Sequence, residues 1–503
     1  MEGVCTTRGE YPGITPISAG ILKTRKFMTL GPQLAEYNMT THNNSLSNLI
    51  RGVGERVLFT NAKLERPIVP VRGAFDRLAS YSRVIVRELG RPSPVSRHEF
   101  VDYYSGPRRL VYERAVKSLE LKPVRPADAY LSTFVKAEKH NFRLKADPAP
   151  RVIQPRSPRY NVEVGRYLRV IEHDLYSAID NLFGSPTIFS PYNAYTQAKH
   201  LRTKWDSFQD PVCIGLDASR FDQHVSLPAL QFEHDLYNRV FRSPELKRLL
   251  SWQLENTGFA KAGDGEFRYK VLGSRMSGDM NTSMGNKLIM CLVAKSYLDT
   301  KGFRTEFVNN GDDCLVLTER KQVAQLTDLK DYMADFGFKI VTEVPVYSFE
   351  EIEFCQTKPV CCNGVWRMVR NVRTCLYKDV TCITLGHDEE SYRRWLHDIG
   401  VCGLAVASDV PVLGAFYRAL VRLGQPGDYA GSWDKEYKWY HSMSRNARCP
   451  QQQVDDYGRY SFWVSSGLTP DEQISLEGLF SRWSWEPDER QVITEHISLI
   501  LQI

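Results

Sequence analysis

The chain has 503 residues, of which 42% are hydrophobic and 25% charged, and its formal net charge is +6. This length exceeds what one hydrophobic core supports, so several packed subdomains are expected. The composition is typical of globular proteins and excludes a low-complexity chain. The small basic excess is compatible with a groove that binds phosphates, although a solvated surface can carry the same charge.

Cysteine spacing and hydropathy exclude two further classes. The 11 cysteines include no Cys-x-x-Cys pair, so reduced, mostly buried thiols are expected rather than a zinc site. No stretch reaches the roughly 18 apolar residues that span a bilayer, and the first residues lack the apolar core of a signal peptide. Any membrane association is therefore expected to come from a partner, a surface patch or a segment outside this sequence.

The predicted elements begin with a helix over residues 43–59, although Gly52 and Gly54 weaken that assignment. Residues 65–160 are rich in Arg, Lys and Pro. Further along, 212–216 is predicted to be a buried strand. Residues 303–317 are predicted to form a hairpin around the turn Asn309-Asn310-Gly311-Asp312-Asp313.

A helix is predicted after the hairpin, with Val323, Leu326, Leu329, Met333 and Phe336 on one face and Gly337 at its end. The C-terminal part of the chain is predicted to be mostly helical. There, Ser408 is a candidate N-cap for a helix carrying Val412, Phe416 and Leu420. Thr469-Pro470-Asp471-Glu472 has the spacing of a capping box.

Three short segments carry candidate chemistry. Asp217-Ala218-Ser219-Arg220-Phe221-Asp222 follows the predicted strand. Ser277-Gly278-Asp279-Met280-Asn281-Thr282-Ser283-Met284-Gly285-Asn286 is the second segment, and Gly311-Asp312-Asp313 lies at the hairpin turn. Gly-Asp-Asp alone is a common turn sequence, and Asp217 alone could cap a helix. The second segment is much more specific, and the order of the three is the stronger signal.

Nucleotidyl transfer explains why carboxylates would be needed in these places. Two Mg²⁺ ions roughly 3.5–4 Å apart can stabilise the attacking and leaving oxygens together. Because Mg²⁺ prefers hard oxygen ligands, a strand-end aspartate and a hairpin aspartate on neighbouring strands would suit it. We expect Asp217 and Asp312 to be the main metal ligands, assisted by Asp313, with Mn²⁺ as an alternative ion.

These segments resemble motifs A, B and C of the RNA-dependent RNA polymerases of positive-strand RNA viruses. His42-Asn43-Asn44-Ser45-Leu46 and the sequence from Gly215 to His224 are similar to those of Tombusviridae, carmovirus-type replicases above all, and of luteovirus-like relatives. The resemblance implies an α+β right hand with fingers, a palm built on an antiparallel sheet flanked by helices, and a mostly helical thumb. The implied boundaries are 1–205 for the N-terminal extension and fingers, 206–228 for palm motif A, 229–268 for a fingers insertion, 269–360 for palm motifs B to E, and 361–503 for the thumb.

The resemblance also implies that Asp222 and Asn286 sense the ribose 2′-hydroxyl of the incoming nucleotide. That group alone separates ribose from deoxyribose, and a buried site built to bond it penalises substrates that lack it. Thr282 and Ser277 would support this network. Gly278 would let the backbone approach nucleotide or template closely.

Upstream, Lys136-Ala137-Glu138-Lys139 and Arg151-Val152-Ile153 resemble motif F. By that resemblance Arg151, Lys136 and Lys139 hold the triphosphate, and Lys145 and Arg156 are further candidates. A basic run is more often simply a solvated face. Tyr104-Ser105-Gly106-Pro107 is a weaker match to the template-contacting motif G.

Downstream, Lys339 stands where the motif D lysine, a candidate general acid, is expected, with Lys330 as the alternative and a surface lysine as the plain explanation. Glu353-Phe354-Cys355-Gln356 resembles motif E, the primer grip. The implied function is copying of a positive-strand genome with de novo initiation, in membrane-associated replication complexes of the host cytoplasm. The implied partners are RNA template and nascent strand, NTPs, an auxiliary viral protein and host factors.

Two other functions remain open at this stage. A reverse transcriptase usually has an aromatic and a variable residue before its Asp-Asp pair and lacks the motif B asparagine, so Asn310-Gly311 and Asn286 argue against it. An inactive RNA-binding replication factor would be marked by loss of Asp217, Asp312 or the motif F cations, all of which are present.

Overall fold

The computed structural model describes residues 1–30, 39–383, 388–427, 435–447, 453–486, 493, 495–497 and 499–501. It is a mixed α and β fold, as predicted. In chain order the strands are β1 (Ile17–Ser18), β2 (Met28–Thr29), β3 (Met39–Thr40), β4 (Leu131–Val135), β5 (His140–Asn141), β6 (Val152–Ile153), β7 (Pro211–Ala218), β8 (Glu255–Ala262), β9 (Gly265–Leu272), β10 (Glu306–Asn310), β11 (Asp313–Glu319), β12 (Ile340–Thr342), β13 (Thr357–Cys362), β14 (Val365–Arg370) and β15 (Thr381–Cys382).

The α-helices are α1 (Leu46–Val53), α2 (Ala79–Leu89), α3 (Arg97–Asp102), α4 (Gly106–Leu121), α5 (Pro158–Phe183), α6 (Ala194–Trp205), α7 (Phe221–His224), α8 (Leu227–Phe241), α9 (Pro244–Ser251), α10 (Thr282–Leu298), α11 (Leu329–Asp335), α12 (Val372–Lys378), α13 (Glu389–Ala407), α14 (Leu413–Leu423), α15 (Lys435–Ser444), α16 (Asp456–Ser466) and α17 (Pro470–Ser481). A π-helical turn, Gly54–Leu58, extends α1, so the helix predicted over 43–59 is confirmed. No helix in the described ranges is both long and apolar enough to cross a bilayer.

The central sheet is antiparallel, with the order β10-β11-β7-β12. The predicted strand and hairpin are both confirmed here, because β7 pairs with β11 and β11 with β10. Gly311 lies in the hairpin turn with a φ of +87°, a backbone conformation that glycine adopts without strain. The register places Asp313 opposite Asp217. The apolar side chains of α5, α8 and α10 form one core with those of this sheet.

A second sheet has the order β1-β9-β8-β4-β6 and brings together strands far apart in sequence. Burial alternates along β4, β8 and β9. Its buried side chains, among them Leu131, Ala260 and Phe267, pack with Leu49 and Ile50 of α1. The sheet therefore has one face on a core and one face toward solvent.

The C-terminal part contains the β13–β14 hairpin and a group of helices around the buried side chains of Trp395, Phe416 and Trp483. It is mostly helical, as predicted. The capping box at Thr469 is confirmed, since its side chain accepts from Glu472 N and the Glu472 side chain accepts from Thr469 N. Helix α13 packs along α14, and α16 lies on β13.

Two predictions about helices are corrected. The helix expected over 323–336 is divided into a 3₁₀ turn, Arg320–Leu326, and α11, although Gly337 follows the second piece with a φ of +87°. Ser408 ends α13 rather than starting the next helix. Val412 lies between the two helices with a φ of +64°, which a helical residue does not adopt, so α14 begins only at Leu413.

The N-terminal segment touches both ends of the molecule. Strand β1 pairs with β9 at the edge of the five-stranded sheet. Strand β2 then pairs with β15 beside the C-terminal helices, and Leu30 N donates to Val380 O at 3.1 Å. The segment thus connects the two regions that flank the central sheet.

Candidate active site

A cavity of about 910 Å³ lies where the ends of β7 and β11, the start of α10, and the segments around α1 and β6 converge. Five aspartates line it: Asp147, which pairs with Arg51, and Asp217, Asp222, Asp279 and Asp312. Basic side chains line the opposite wall: Arg51, Arg56, Arg108, Lys136, Lys145, Arg151 and Arg220. The three sequence segments therefore meet in one place, as their chemistry requires.

Asp217 and Asp312 reach the cavity from neighbouring strands. Asp217 is the second-last residue of β7, and Asp312 is in the turn before β11. Both are open to the cavity, yet protein surrounds Asp312 on most sides. Burial raises the pKa of Asp312, and the charges of Asp222 and Asp217 add to this although Arg151 opposes it. Carboxylates that lie close together despite their mutual repulsion usually mark a site for a cation.

Asp313 has a different environment from the other two. It does not line the cavity, and its side chain forms a hydrogen bond with Cys355. Burial and the neighbouring Asp312 charge raise the pKa of Asp313 to about 6. The structure thus brings all three predicted carboxylates into one neighbourhood, with Asp217 and Asp312 facing the open space.

The residues present fit a divalent cation that keeps some of its own ligands. In the described part of the chain, no group of three or more His, Cys, Asp or Glu side chains could enclose a metal by itself. Mg²⁺ is commonly bound by one or two carboxylates together with waters and substrate phosphates. Asp217 and Asp312 supply that smaller set of hard oxygen ligands.

Asp222 is fixed by two partners from the second segment. Asn286 Nδ2 donates to Asp222 Oδ1 at 2.7 Å, and Ser277 Oγ donates to Asp222 Oδ2. The turn that carries Asp222 requires Arg220 in a left-handed conformation, with a φ of +53°. Each Asp222 oxygen keeps a further lone pair with which it can accept a hydroxyl proton.

Sequence reasoning missed the residues that orient Asn286. Arg275 Nε donates to Asn286 Oδ1 at 3.0 Å, which turns the amide nitrogen toward Asp222. Arg275 forms a fully buried ion pair with Glu233. Glu233 also accepts from Asn281 Nδ2 at 2.7 Å and Tyr237 Oη at 3.0 Å. Glu233 lies in the segment predicted to be a fingers insertion, and no spacing in the sequence connects it with Asn286.

The loop before α10 is held against β6. Gln154 N donates to Ser277 O at 2.7 Å. Gly278 has a φ of +128°, and a Cβ there would come within 3.1 Å of Pro155 N. In this structure the close neighbour of Gly278 is therefore the protein's own backbone, whereas the prediction concerned a nucleotide or template. Thr282 begins α10, and its hydroxyl donates to Met276 O at 3.0 Å, which braces the same loop.

The basic wall contains both predicted and unpredicted residues. Lys136, Lys145 and Arg151 line the cavity as expected. Lys136 and Arg151 both pair with Glu138, the latter at 3.1 Å. Burial alone would raise the pKa of Glu138, but these two cations lower it. Glu138 is therefore held in its charged form and fixes the positions of Lys136 and Arg151.

Arg56 and Arg220 were not predicted, although they complete this wall. Burial, followed by the charges of Arg220 and Arg151, lowers the pKa of Arg56 to about 10. Arg220 Nη1 donates to the carbonyls of Glu55 and Thr60. Guanidinium groups crowded together, with Glu55 and Glu138 offsetting only part of their charge, form a site suited to a polyanion. Arg220 lies inside the first candidate segment, and this position could have marked it as a site residue. Arg56 belongs to none of the candidate segments, so nothing in the sequence marked it.

The structure does not bring two of the predicted cations to the cavity. Lys139 Nζ donates to Lys378 O at 2.6 Å and lies 5.0 Å from the centre of the Trp395 ring, so it contacts the C-terminal helices. Arg156 is buried, bonding Asp279 Oδ1 at 2.5 Å and Asn256 Oδ1 at 2.7 Å. Its role is structural, because these contacts orient its guanidinium away from the open space.

Similarity to known proteins agrees with this geometry. Residues 16–488 match the family described as viral RNA dependent RNA polymerase. The chain is 41% identical over 496 residues to the RNA-directed RNA polymerase of Turnip crinkle virus, covering 96% of this chain and 63% of the relative. It is 41% identical over 511 residues to that of Tobacco necrosis virus (strain D), covering 98% and 69%. The protein from Maize chlorotic mottle virus (isolate United States/Kansas/1987) is 42% identical over 469 residues, which cover 92% of this chain and 48% of the relative.

The chain belongs to the viral RNA dependent RNA polymerase family. The resemblance to Tombusviridae is thereby confirmed. The chain spans about half to two thirds of the length of most of the relatives it matches.

The remaining family motifs can now be placed. Lys339 directly precedes β12, and its carbonyl accepts from Ser219 N at 3.0 Å, so it lies beside motif A although it does not line the cavity. Lys330 is exposed on α11. In the motif G match, Arg108 just after Pro107 lines the cavity and lies 4.9 Å from the Tyr104 ring.

The motif E match forms a tight turn before β13. Cys355 and Gln356 have φ values of +51° and +63°. Asn310 Nδ2 of the hairpin donates to Cys355 Sγ at 3.3 Å. This turn therefore contacts the β10–β11 hairpin at the start of the C-terminal part of the chain.

Proposed function

We propose that this chain catalyses RNA-templated RNA synthesis by two-metal nucleotidyl transfer. The observation that carries the proposal is the convergence of Asp217, Asp312, Asp222 and Asn286 on one cavity whose opposite wall is basic. An anionic substrate would lie between the two walls. In this proposal the five-stranded sheet and its surrounding helices are the fingers, the four-stranded sheet is the palm, and the C-terminal helices are the thumb.

Two predicted domain limits are moved in this proposal. The limit at 268/269 falls inside β9, and the limit at 360/361 falls inside β13. Because β8 and β9 pair along their whole length, and β13 and β14 likewise, each hairpin is assigned to one unit. Both segments of the fingers, 1–205 and the insertion, then share one sheet through the pairing of β4 with β8.

Asp217 and Asp312 would hold the metal ions, with Asp313 assisting through the charge it adds. Bound divalent ions would stabilise the attacking and leaving oxygens of the transfer. We assign Mg²⁺, two ions, because the ligands are carboxylate oxygens, with Mn²⁺ as a substitute. The raised pKa of Asp312 follows first from burial and then from like charges, and a cation relieves that repulsion.

The basic wall would bind the triphosphate. Arg56, Arg151 and Arg220 are the main candidates, and Lys136 and Lys145 extend the same wall. Fixed cations placed where pyrophosphate leaves would stabilise its charge as it develops. Lys339 stays a candidate proton donor to that leaving group, reaching it by rotation of its exposed side chain.

The Asp222–Asn286 pair would recognise the ribose. A 2′-hydroxyl placed at Asp222 can donate to a carboxylate oxygen already oriented by Asn286 and Ser277. A deoxynucleotide would leave that acceptor unpaired, which costs binding energy. The network behind it, from Arg275 to Glu233, makes the acceptor rigid.

The wider role follows the family. We propose de novo initiation on a positive-strand genome, in membrane-associated complexes of the host cytoplasm. The partners would be template and nascent RNA, NTPs, an auxiliary viral protein and host factors. Unprimed and primed templates given to the same preparation test the initiation mode.

The decisive experiment gives the purified chain an RNA template with Mg²⁺ and either NTPs or dNTPs. Template-length product with NTPs supports the proposal. Product with dNTPs alone would indicate a reverse transcriptase. No product with either, while RNA still binds, would indicate a replication factor without catalytic activity.

A further inference from the structure

The solvent face of the five-stranded sheet carries aromatic and basic side chains that the catalytic cavity does not use. We call this the outer face and define it by Tyr130, Phe134, Phe259, Lys261, Arg268 and Lys270. All six are exposed, and the three aromatic residues expose 42%, 40% and 45% of their surface. Large aromatic side chains left open together on a sheet usually mark a binding surface.

The register places these side chains next to one another. Phe259 pairs with Ser132 of β4 on one side and with Arg268 of β9 on the other. The rings of Tyr130 and Phe259 are 5.8 Å apart, and the Arg268 guanidinium lies 5.6 Å from the Phe259 ring. Lys270 is one step further along β9 on the same face, opposite Thr257.

The outer face is continuous with the catalytic cavity. Phe134 pairs with Ile153 of β6, and directly opposed residues project from the same side of a sheet. Ile153 also lines the cavity. A strand leaving the cavity over Ile153 would therefore meet Phe134 first and then the ring of Phe259.

We propose that the outer face binds single-stranded RNA outside the catalytic cavity, holding the template strand where it passes over the five-stranded sheet. Flat aromatic rings stack on bases of any sequence, and nearby cations bind the phosphates. Arg268 and Lys270 supply that charge, while Lys261 is 3.6 Å from Glu266 and contributes less. A protein partner would use the apolar rings but would not need their continuity with the cavity.

This proposal rests on the proposed function for the identity of the strand, so the experiment separates the two. The test variants are Phe134→Ala/Phe259→Ala and Arg268→Glu, with Phe259→Tyr as the conservative variant. Tyr457→Ala is the matched control, since Tyr457 is an equally exposed aromatic residue on α16, at 50%. Binding is measured by fluorescence anisotropy with single-stranded RNA of about 20 nucleotides, and of about 5 nucleotides, which the cavity alone can hold.

The double alanine variant should bind the longer RNA about tenfold more weakly, as expected for lost stacking. Phe259→Tyr should bind as the unaltered chain does. Arg268→Glu should reduce the salt dependence of binding by about one unit of slope. Binding of the short RNA, and synthesis on a short template, should be unchanged in all of them.

Unchanged binding of the longer RNA by the double alanine variant would overturn the proposal and leave a protein partner as the occupant. Equal losses with short and long RNA would overturn it too, because they would indicate a disturbed cavity. Loss of long-RNA binding alone supports it. Failure of every preparation to synthesise RNA would overturn the proposed function instead, and the binding comparison would still decide the outer face.

Discussion

The amide nitrogen of Asn286 lies 2.7 Å from Asp222 Oδ1 and joins the start of α10 to the turn after β7. The contact is directional, because Arg275 bonds the other atom of the same amide. The orientation of the Asp222 carboxylate therefore depends on a chain of bonds that ends at a buried ion pair.

Breaking that contact should weaken the choice between ribose and deoxyribose. Asn286→Ala frees the Asp222 carboxylate, so we expect the ratio of kcat/KM for NTP over dNTP to fall about tenfold or more. Single-nucleotide extension of a primed template measures both values. Ser283→Ala is the control, since Ser283 lines the same cavity but accepts from Lys287. An unaltered ratio in Asn286→Ala would remove the pair from sugar recognition.

The buried Arg275–Glu233 pair should have two separable effects, one on the stability of the fold and one on the discrimination between ribose and deoxyribose. Glu233→Met leaves a buried charge unpaired and should destabilise the fold by about 3–5 kcal/mol. Adding Arg275→Met removes that charge and should restore much of the lost stability. The double variant still lacks the bond to Asn286 Oδ1, so its sugar discrimination should stay poor. Recovery of both properties together would show that Arg275 does not position Asn286.

Asp312→Asn should abolish synthesis while RNA binding persists. In the proposed mechanism the substitution removes a charged metal ligand without changing the size of the side chain. Loss of metal-based stabilisation is worth several kcal/mol, or about a thousandfold in rate. Incorporation assays and RNA binding are measured on one preparation. Asp174→Asn, at an exposed position on α5, provides the control. Parallel loss of binding and synthesis would point to misfolding rather than chemistry.

Lys287 should make stability depend on pH. It is 4% exposed, and burial lowers its pKa from 10.5 to about 8. Below pH 8 the amine is charged in both states, and the fold carries the cost of burying that charge. Between about pH 8 and 10.5 the unfolded chain binds more protons, so the free energy of unfolding gains up to about 3 kcal/mol as pH rises.

Lys287→Met should therefore have a higher Tm than the unaltered chain near neutral pH, and the difference should shrink as the pH rises past 8. Thermal unfolding followed by circular dichroism at several pH values measures this difference. Lys330→Met changes an exposed lysine on α11 and should show a constant difference. A constant difference for Lys287→Met as well would mean that its amine titrates normally.

From the sequence, the residues that face the cavity could be predicted better than the residues that hold them in position. Asp217 could be recognised because it follows a predicted strand where a metal ligand has a chemical reason, and Asp222 and Asn286 through the resemblance of their segments to motifs A and B. Glu233 and Arg56 could not, because they act through contacts between segments far apart in the chain. Lys139 shows the converse, since its basic run predicts phosphate binding but the loop between β4 and β5 places it at the carbonyl of Lys378, which is distant in sequence.

Local rules succeeded where the local sequence decides the structure. The capping box at Thr469 and the turn at Gly311 follow from residues within a few positions of each other. The Ser408 prediction failed because the same residue type serves both ends of a helix, and the left-handed backbone of Val412 that separates the two helices is not visible in the sequence.

The N-terminal segment ties together the two regions that flank the central sheet, because β1 pairs with a strand of one and β2 with a strand of the other. Both attachments are short, because the β1–β9 and β2–β15 ladders each pair only two residues of each strand. Local opening of either short ladder would free this segment from one region before either hydrophobic core unfolds.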